Sequence, residues 1–334
     1  MQVKSKYLKL ALLVCLVLII GKLLLKKDLF SNIQKEATSK EQDSLWMGKG
    51  PDMLPTDTGN ASRLIRYGYE LVAHTSTFLG PNGQVKQITN GMNCKNCHLQ
   101  AGTKVWGLNY GSVAANYPKF RARSGTVESI YKRVNDCLQR SLNGQGLDSS
   151  SIEMQAFIGY ISWVGAEVEK GKTAKGSGII SLPYLKRPAD PKFGKVLYAI
   201  NCSKCHGKNG EGLKGQPNSG DFFINPPLWG KHSYNQAAGM FQLSKLAGFI
   251  KTNMPNGINS QQPYLKDQEA WDLAAFINTQ SRPTKDISKD WPNKASKPYD
   301  YPYGPYLDSF TQRQHQLGPF GPIRAFWEKK QSVK

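Results

Sequence analysis

The sequence of 334 residues lacks the features that mark several common classes of protein. Its one long apolar run lies at the N-terminus, which excludes a protein with several transmembrane helices. It has only six cysteines, too few for a chain of this length to be a small secreted domain stabilised by disulfides. No alternating strand pattern of useful length is present, so we predict a mainly α fold.

Acidic residues are also scarce. The chain has 24 Asp and Glu residues against 44 Lys and Arg residues, which leaves a formal net charge of +20 at pH 7. Such an excess permits anionic ligands, anionic lipid, an acidic protein partner or nucleic acid. The basic residues are dispersed along the chain, so we do not expect nucleic-acid binding. Hydrophobic residues make up 39% of the chain, which is enough for a folded core.

The first 30 residues resemble an export segment. Lysines precede an apolar stretch, residues 10–21, that is shorter than a typical transmembrane helix. No small-residue cleavage motif follows this stretch, so we favour an uncleaved anchor in the inner membrane over a cleaved signal peptide. Both alternatives predict that the rest of the chain is in the periplasm.

Composition divides the remaining chain into five segments. Residues 31–58 are polar and are typical of a tether, and residues 171–187 are typical of a linker. Residues 283–334 form a tail rich in Pro and Tyr, which we expect to wrap over the folded part. Residues 59–170 and 188–282 each carry a helical pattern, and we predict one domain for each.

Each of the two predicted domains contains the sequence C-x-x-C-H. In this pattern two thiols attach a c-type haem covalently, and the histidine binds its iron. We therefore predict two covalently bound haem c groups, held by Cys94, Cys97, His98, Cys202, Cys205 and His206. A zinc ribbon is one alternative, and the histidine after each cysteine pair argues against it. A thioredoxin-like motif is another, and the lack of a βαβ context argues against that.

The sequence predicts a pair of crossing helices around each motif. In the first domain these are residues 63–72 and 154–163, and in the second they are residues 190–202 and 269–277. We expect Phe157, Trp163, Trp271 and Phe276 to pack in the core. Two helices arranged in this way around a haem resemble the class I cytochrome c domain, so we expect that domain twice in tandem.

The second domain offers a methionine as the other axial ligand of its haem. Met254 precedes Pro255, which looks like the Met-Pro loop of class I cytochromes. A thioether ligand raises the reduction potential and suits electron transfer. Met240 is the alternative ligand, although its surroundings favour a packing role in a helix.

The first domain has no methionine at the equivalent place, and Cys137 holds roughly that position. It is the one cysteine beyond the N-terminal segment that belongs to no haem motif. An unpaired thiol in an oxidising compartment is unusual. We therefore predict that Cys137 binds iron as a thiolate or acts as a nucleophile. A buried inert thiol is the alternative.

Cationic and hydroxyl side chains accompany Cys137 in the sequence. Arg133 lies one helical turn before it, Ser141 lies one turn after it, and Arg123 belongs to the preceding segment. Guanidinium groups and hydroxyls near a reactive sulfur suit a small oxyanion such as a sulfonate. Pairing with haem propionates, or a solvated surface, is the alternative for each arginine.

At these residues the chain resembles the dihaem thiosulfate dehydrogenases, also known as tetrathionate reductases. The strings Arg-Ala-Arg-Ser-Gly at 121–125 and Cys-x-x-Arg-Ser-x-Asn-Gly at 137–144 are far more specific than the haem motifs alone. Further matching stretches are residues 73–81, 227–230 and 253–255.

The resemblance also implies roles for individual residues. On the catalytic haem it implies iron ligation by His98 and Cys137, with Arg123, Arg133 and Ser141 around the substrate. On the electron-transfer haem it implies ligation by His206 and Met254. Some members of the family have a lysine directly before this methionine and exchange ligands on reduction. This chain has Asn253 there, which favours permanent ligation by histidine and methionine.

The resemblance implies the interconversion of thiosulfate and tetrathionate, with electrons passed to a soluble cytochrome c or a similar redox partner. A dihaem electron carrier without its own substrate is one alternative, and it predicts methionine on both haems. A dihaem peroxidase is another, and it predicts an open or histidine-ligated haem. A Sox-type sulfur transferase would share the cysteine chemistry but need a carrier protein. The sequence leaves the working direction open.

Overall fold

The computed structural model of the protein describes residues 46, 48–216, 221–258 and 260–332. The predicted export segment and the first part of the predicted tether lie outside these residues. Within the described residues, no helix is long and apolar enough to cross a membrane.

Helices dominate the described part of the chain, as predicted. The α-helices are α1 Asn60–Ala73, α2 Thr75–Leu79, α3 Leu99–Gly102, α4 Val113–Asn116, α5 Ile130–Arg140, α6 Ile152–Val164, α7 Pro191–Asn201, α8 Ser203–His206, α9 Leu243–Asn253, α10 Asp267–Asn278, α11 Gln312–Leu317 and α12 Gly321–Ser332. Short 3-10 helices occupy Pro51–Met53, Cys94–Asn96, Gly239–Phe241 and Lys294–Ser296.

The structure also has two small antiparallel hairpins. Strand β1 Lys119–Arg121 pairs with β2 Thr126–Glu128, and β3 Leu213–Lys214 pairs with β4 Phe223–Asn225. The sequence does not predict these strands, because two or three residues are too few for an alternating pattern to be visible.

Local sequence sets where three of the main helices begin. The side chain of Ser129 accepts a hydrogen bond from the N–H of Lys132 at the start of α5, and Ser151 does the same for Met154 in α6. The carboxylate of Asp190 caps α7, whose first residue is a proline. These caps satisfy N–H groups that have no partner inside the helix.

A glycine lets the two main helices cross closely in each domain. Helix α1 packs on α6, and α7 packs on α10. A side chain at Gly68 would collide with the carbonyl oxygen of Ala156, and one at Gly194 would collide with the carbonyl oxygen of Asp272. The same packing solution therefore holds both helix pairs beside their haem motifs.

Aromatic side chains fill the core at these crossings. Phe157, Trp271 and Phe276 are buried, as we expect from the sequence. Trp163 is half-buried and stacks on Tyr160, with 6.0 Å between the ring centroids. Their packing holds the crossing helices of each domain together.

The two domains touch directly through backbone and side-chain contacts. The Asn90 side-chain amide donates to the carbonyl of Ser233 at 3.1 Å, and the N–H of Phe222 donates to the Ser76 hydroxyl at 3.1 Å. The Lys95 ammonium lies 2.8 Å from the carboxylate of Asp221. These contacts place the two haem motifs within one compact body.

The C-terminal segment 283–332 packs along both domains. The backbone N–H of Trp291 donates to the carbonyl of Arg123 in the first domain at 2.7 Å, and the N–H of Ala189 in the second domain donates to the carbonyl of Leu317 at 2.7 Å. The segment therefore contacts both domains and helps to fix their relative position.

Candidate functional site

A cavity in the first domain brings together most of the site residues predicted there. Its walls combine the first haem motif with one face of α5, and the predicted residues among them are Cys94, Cys97, His98, Arg133, Cys137 and Ser141. Apolar and aromatic side chains, among them Leu108, Tyr110, Val113 and Phe157, line the rest. The empty space, counted out to its mouth, is about 970 Å³.

The imidazole of His98 is oriented as an iron ligand. Its Nδ1 lies 2.6 Å from the carbonyl oxygen of Leu108. Because a carbonyl only accepts, Nδ1 carries the ring proton, and the lone pair of Nε2 is left for a metal. Two thiols and this imidazole beside a largely apolar cavity fit a c-type haem.

Helical spacing explains why three of the predicted residues face the same cavity. Arg133, Cys137 and Ser141 follow one another at intervals of four residues, so α5 stacks them on one face. Ser141 ends the helix, and its N–H donates to the carbonyl of Cys137 at 2.8 Å. The thiol therefore lies between a guanidinium group and a hydroxyl.

The thiol of Cys137 differs electrostatically from the other two thiols of the cavity. Burial raises the pKa of Cys94 and of Cys97 to about 12. Burial acts in the same direction on Cys137, but the positive charge of Arg133 is the largest of the causes that oppose it, and the pKa of Cys137 is lowered to about 7. In turn, Cys137 raises the pKa of Arg133. The cavity thus favours a thiolate beside a guanidinium.

Arg123 is not among the described residues that line this cavity. Its Nη1 donates to the carbonyl of Ala237 at 2.9 Å, and its guanidinium lies 5.6 Å from the ring centroid of Trp291. Burial is the main cause that lowers its pKa, and the nearby charges of Arg140 and Arg133 act in the same direction. Arg123 therefore lies outside the cavity, where the first domain meets the second domain and the C-terminal segment.

An ion pair that the sequence does not predict holds the end of α5. The guanidinium of Arg140 binds both carboxylate oxygens of Asp290, at 2.6 and 2.9 Å, and the Asp290 side chain is buried. The N–H of Asn235 donates to the Arg140 carbonyl at 3.1 Å. The second domain and the tail thereby fix the helix end that follows Cys137. No local pattern in the sequence signals this pairing.

The second haem motif has a histidine arranged like the first. The Nδ1 of His206 lies 2.8 Å from the carbonyl oxygen of Pro226, which leaves Nε2 for iron. Burial lowers the pKa of His206, which favours the neutral ring that binds metals. Cys202 is half-buried and Cys205 is exposed. This donor set fits a second c-type haem.

The predicted sulfur ligand of the second haem follows the last residue of α9. Met254 is partly buried and packs against the core. Met240 is buried in the 3-10 helix Gly239–Phe241. The packing role of Met240 agrees with its burial, and the ligand role of Met254 stays a prediction.

Asn253 connects the surroundings of the two haem motifs. It is fully buried, and its side-chain amide donates to the carbonyl of Trp106 at 3.0 Å. Two residues further on, Leu108 accepts the hydrogen bond from His98. One short loop of the first domain therefore contacts the histidine of one motif and the residue before Met254.

Comparisons with known proteins agree with this geometry. Residues 84–168 match the family described as SoxA/TsdA, cytochrome c domain, and residues 192–281 match the family described as Cytochrome c. Together with the helical fold, these matches confirm the prediction of two cytochrome c domains, which imply two c-type haems.

Relatives of known activity cover most of the chain. A thiosulfate dehydrogenase from Psychrobacter arcticus is 36% identical over 73% of this chain and 72% of its own length. One from Allochromatium vinosum is 36% identical over 59% of this chain and 72% of its own length.

A solved structure gives the same result. The thiosulfate dehydrogenase TsdBA from Marichromatium purpuratum, in its as-isolated form, has 32% identity and a TM-score of 0.66 over 73% of this chain. This chain spans about half, 51%, of that longer protein. With the haem motifs and the cavity around Cys137, these relationships show that the chain is an oxidoreductase and belongs to the thiosulfate dehydrogenase family.

Proposed function

We propose that this protein couples two thiosulfate ions into one tetrathionate ion, with release of two electrons, in the cavity of the first domain. The observation that carries the proposal is the placement of Arg133, Cys137 and Ser141 on one face of α5, in the same cavity as the first haem motif. The family membership of the chain supports thiosulfate as the substrate.

The reaction divides into two sulfur transfers at Cys137. In the first, the thiolate forms an S–S bond with the terminal sulfur of one thiosulfate, and two electrons leave. In the second, another thiosulfate attacks the sulfur of this adduct that lies next to its sulfonate. Tetrathionate is released, and the electron pair of the broken S–S bond restores the Cys137 thiolate. Neither step takes up or releases a proton once Cys137 is a thiolate, because the attacking sulfurs and the Cys137 sulfur that leaves are all anionic.

The guanidinium of Arg133, here named the cationic wall of the cavity, offsets the repulsion between these anions. The substrate is a dianion, and it approaches a thiolate in a half-buried site where charges interact more strongly than in water. Arg133 is the guanidinium beside that sulfur, and the Ser141 hydroxyl lies one turn further along the helix. Arg123, outside the cavity, adds a second positive charge that interacts with Arg133.

Each domain offers two residues that would hold the iron of its cofactor. His98 would bind the iron of the first haem, together with Cys137 whenever its sulfur is not engaged with substrate, and His206 and Met254 would bind that of the second. When bound, the two haems supply one-electron acceptors for the electrons that leave the sulfur. A thiolate ligand lowers a haem potential and a thioether raises it, so the ligand sets favour electron flow from the first domain to the second.

A soluble cytochrome c or a similar redox partner would then take the electrons from the second domain. We place the enzyme in the periplasm, with the N-terminal segment as an export signal or membrane anchor. The reverse reaction, tetrathionate reduction, would use the same cysteine and the same cationic wall.

Purified holoprotein provides the test. Two covalent haems per chain should appear in a pyridine haemochrome assay. Thiosulfate should reduce ferricyanide, and one tetrathionate should form for every two ferricyanide ions reduced. A protein with both haems attached that shows no thiosulfate-dependent reduction would instead support an electron carrier without its own substrate.

A further inference from the structure

The helix that leads into the second haem motif exposes an apolar strip. In α7, Phe193 is 46% exposed, Val196 is 53% exposed and Ile200 is 71% exposed. Their spacing of three and four residues places them on one side of the helix. Large apolar side chains grouped on a surface in this way are typical of an interaction site.

The strip does not contribute to the core of the domain. Helix α7 packs on α10 through its other side, where Gly194, Leu197 and Tyr198 are buried. Since the helix is already anchored there, its outward apolar side chains gain no burial from the fold.

Positive charge surrounds this strip. Lys192, Lys195, Lys204 and Lys208 are exposed, and residues 191–210 contain no Asp or Glu. An apolar centre with a charged margin is the usual composition of a transient protein interface. Exposed Asp190 and Glu211 flank this stretch, but the lysines outnumber them, and this excess of positive charge favours a partner with a negative surface.

The haem attachment of the second domain lies at the same surface. Ile200 is two residues before Cys202, and Cys205 is itself exposed. A protein seated on α7 would therefore contact the segment to which the second haem is bound.

We infer that this surface, formed by Phe193, Val196, Ile200, Lys192 and Lys195 and here named the α7 face, docks an acidic, soluble electron-carrier protein. The inference rests on the proposed role of the second domain in passing electrons out. A second copy of this chain is disfavoured as the occupant, because both copies would carry a formal charge of +20.

The test uses the full-length holoprotein, reduced with dithionite and mixed with an oxidised acidic blue-copper protein in a stopped-flow instrument. Ile200→Gln removes apolar contact, and Lys195→Glu reverses a charge. Ile152→Gln is the matched control for the first, since Ile152 is 60% exposed on α6 of the other domain. Lys329→Glu, at an exposed position of α12, is the control for the second.

We expect both α7 variants to lower the second-order rate constant by about tenfold and to weaken calorimetric binding of the acceptor by a similar factor. Lys195→Glu should also make the rate less dependent on salt, whereas both controls should match the wild type. Because dithionite supplies the electrons, the test gives the same answer whether or not the enzyme oxidises thiosulfate.

Wild-type rates and affinities in both α7 variants would overturn the inference. So would variants that transfer electrons normally but lose self-association in sedimentation, or lose binding to vesicles of anionic lipid. Those results would assign the α7 face to a second copy or to a membrane surface.

Discussion

The two domains differ in what they place opposite very similar haem motifs. In each, the motif histidine donates from Nδ1 to a backbone carbonyl, that of Leu108 or of Pro226. In the first domain the predicted ligand Cys137 comes from within α5, with charged and polar neighbours. In the second, Met254 directly follows α9 and packs against the core.

The comparison separates what maintains the fold from what sets the chemistry. The close helix crossings at Gly68 and Gly194 are common to both domains and carry no specificity. The predicted sulfur ligands lie on one face of α5 in the first domain and at the end of α9 in the second. Changing them should therefore alter the reaction without unfolding the protein.

The largest effect on activity is expected from removal of Cys137. Cys137→Gly should keep both haems attached, because the attachment uses other cysteines. It should lower thiosulfate oxidation and tetrathionate reduction together by more than about a thousandfold, because one nucleophile serves both directions. Steady-state assays with ferricyanide and with a reduced viologen check the two directions.

Removal of the methionine tests the other domain. Met254→Gly should abolish the far-red absorption band of methionine-ligated ferric haem and slow electron delivery to an external acceptor by about ten- to a hundredfold, since the second haem would lose its high potential. Thiosulfate should still reduce the first haem. Met240→Leu is the control, and loss of the band in that variant would move the ligand assignment to Met240.

The cationic wall should matter less than the cysteine. Arg133→Met removes one charge-assisted contact, worth about 1.5–3 kcal/mol, so kcat/KM for thiosulfate should fall by about ten- to a hundredfold. The ferric spectra should stay close to those of the wild type. Arg63→Met, at an exposed position of α1, should have no effect. Equal losses in both variants would contradict a specific role for Arg133.

The smallest expected effect comes from the ion pair between α5 and the tail. Asp290→Asn removes the charge opposite Arg140, and we expect a loss of about 1–3 kcal/mol in the free energy of unfolding. Because the end of α5 would loosen, KM for thiosulfate should rise more than kcat falls. Asp286→Asn, at an exposed position of the same tail, should change neither. Chemical denaturation and steady-state kinetics measure the two effects.

The sequence predicts the parts of the site that depend on local spacing. The C-x-x-C-H motifs are contiguous, and the four-residue intervals from Arg133 to Ser141 define one helix face without help from any distant segment. The helix pairs are equally visible, because their apolar positions repeat with the period of a helix.

The contacts between distant segments are not predictable in this way. The pairing of Arg140 with Asp290 and the bond from Asn253 to Trp106 join residues that no periodic pattern relates. The position of Arg123 outside the cavity has the same origin, because Ala237 and Trp291 come from other parts of the chain.

The central claim is that Cys137 carries the sulfur transfer, and a labelling experiment tests it most directly. A thiolate that attacks tetrathionate keeps one thiosulfate group in an S–S bond and releases the other as thiosulfate, with no change in electron count. Oxidised holoprotein mixed with tetrathionate and quenched in acid should therefore yield a tryptic peptide, residues 134–140, that carries the added group. An unlabelled peptide from a sample that turns over thiosulfate would contradict the account.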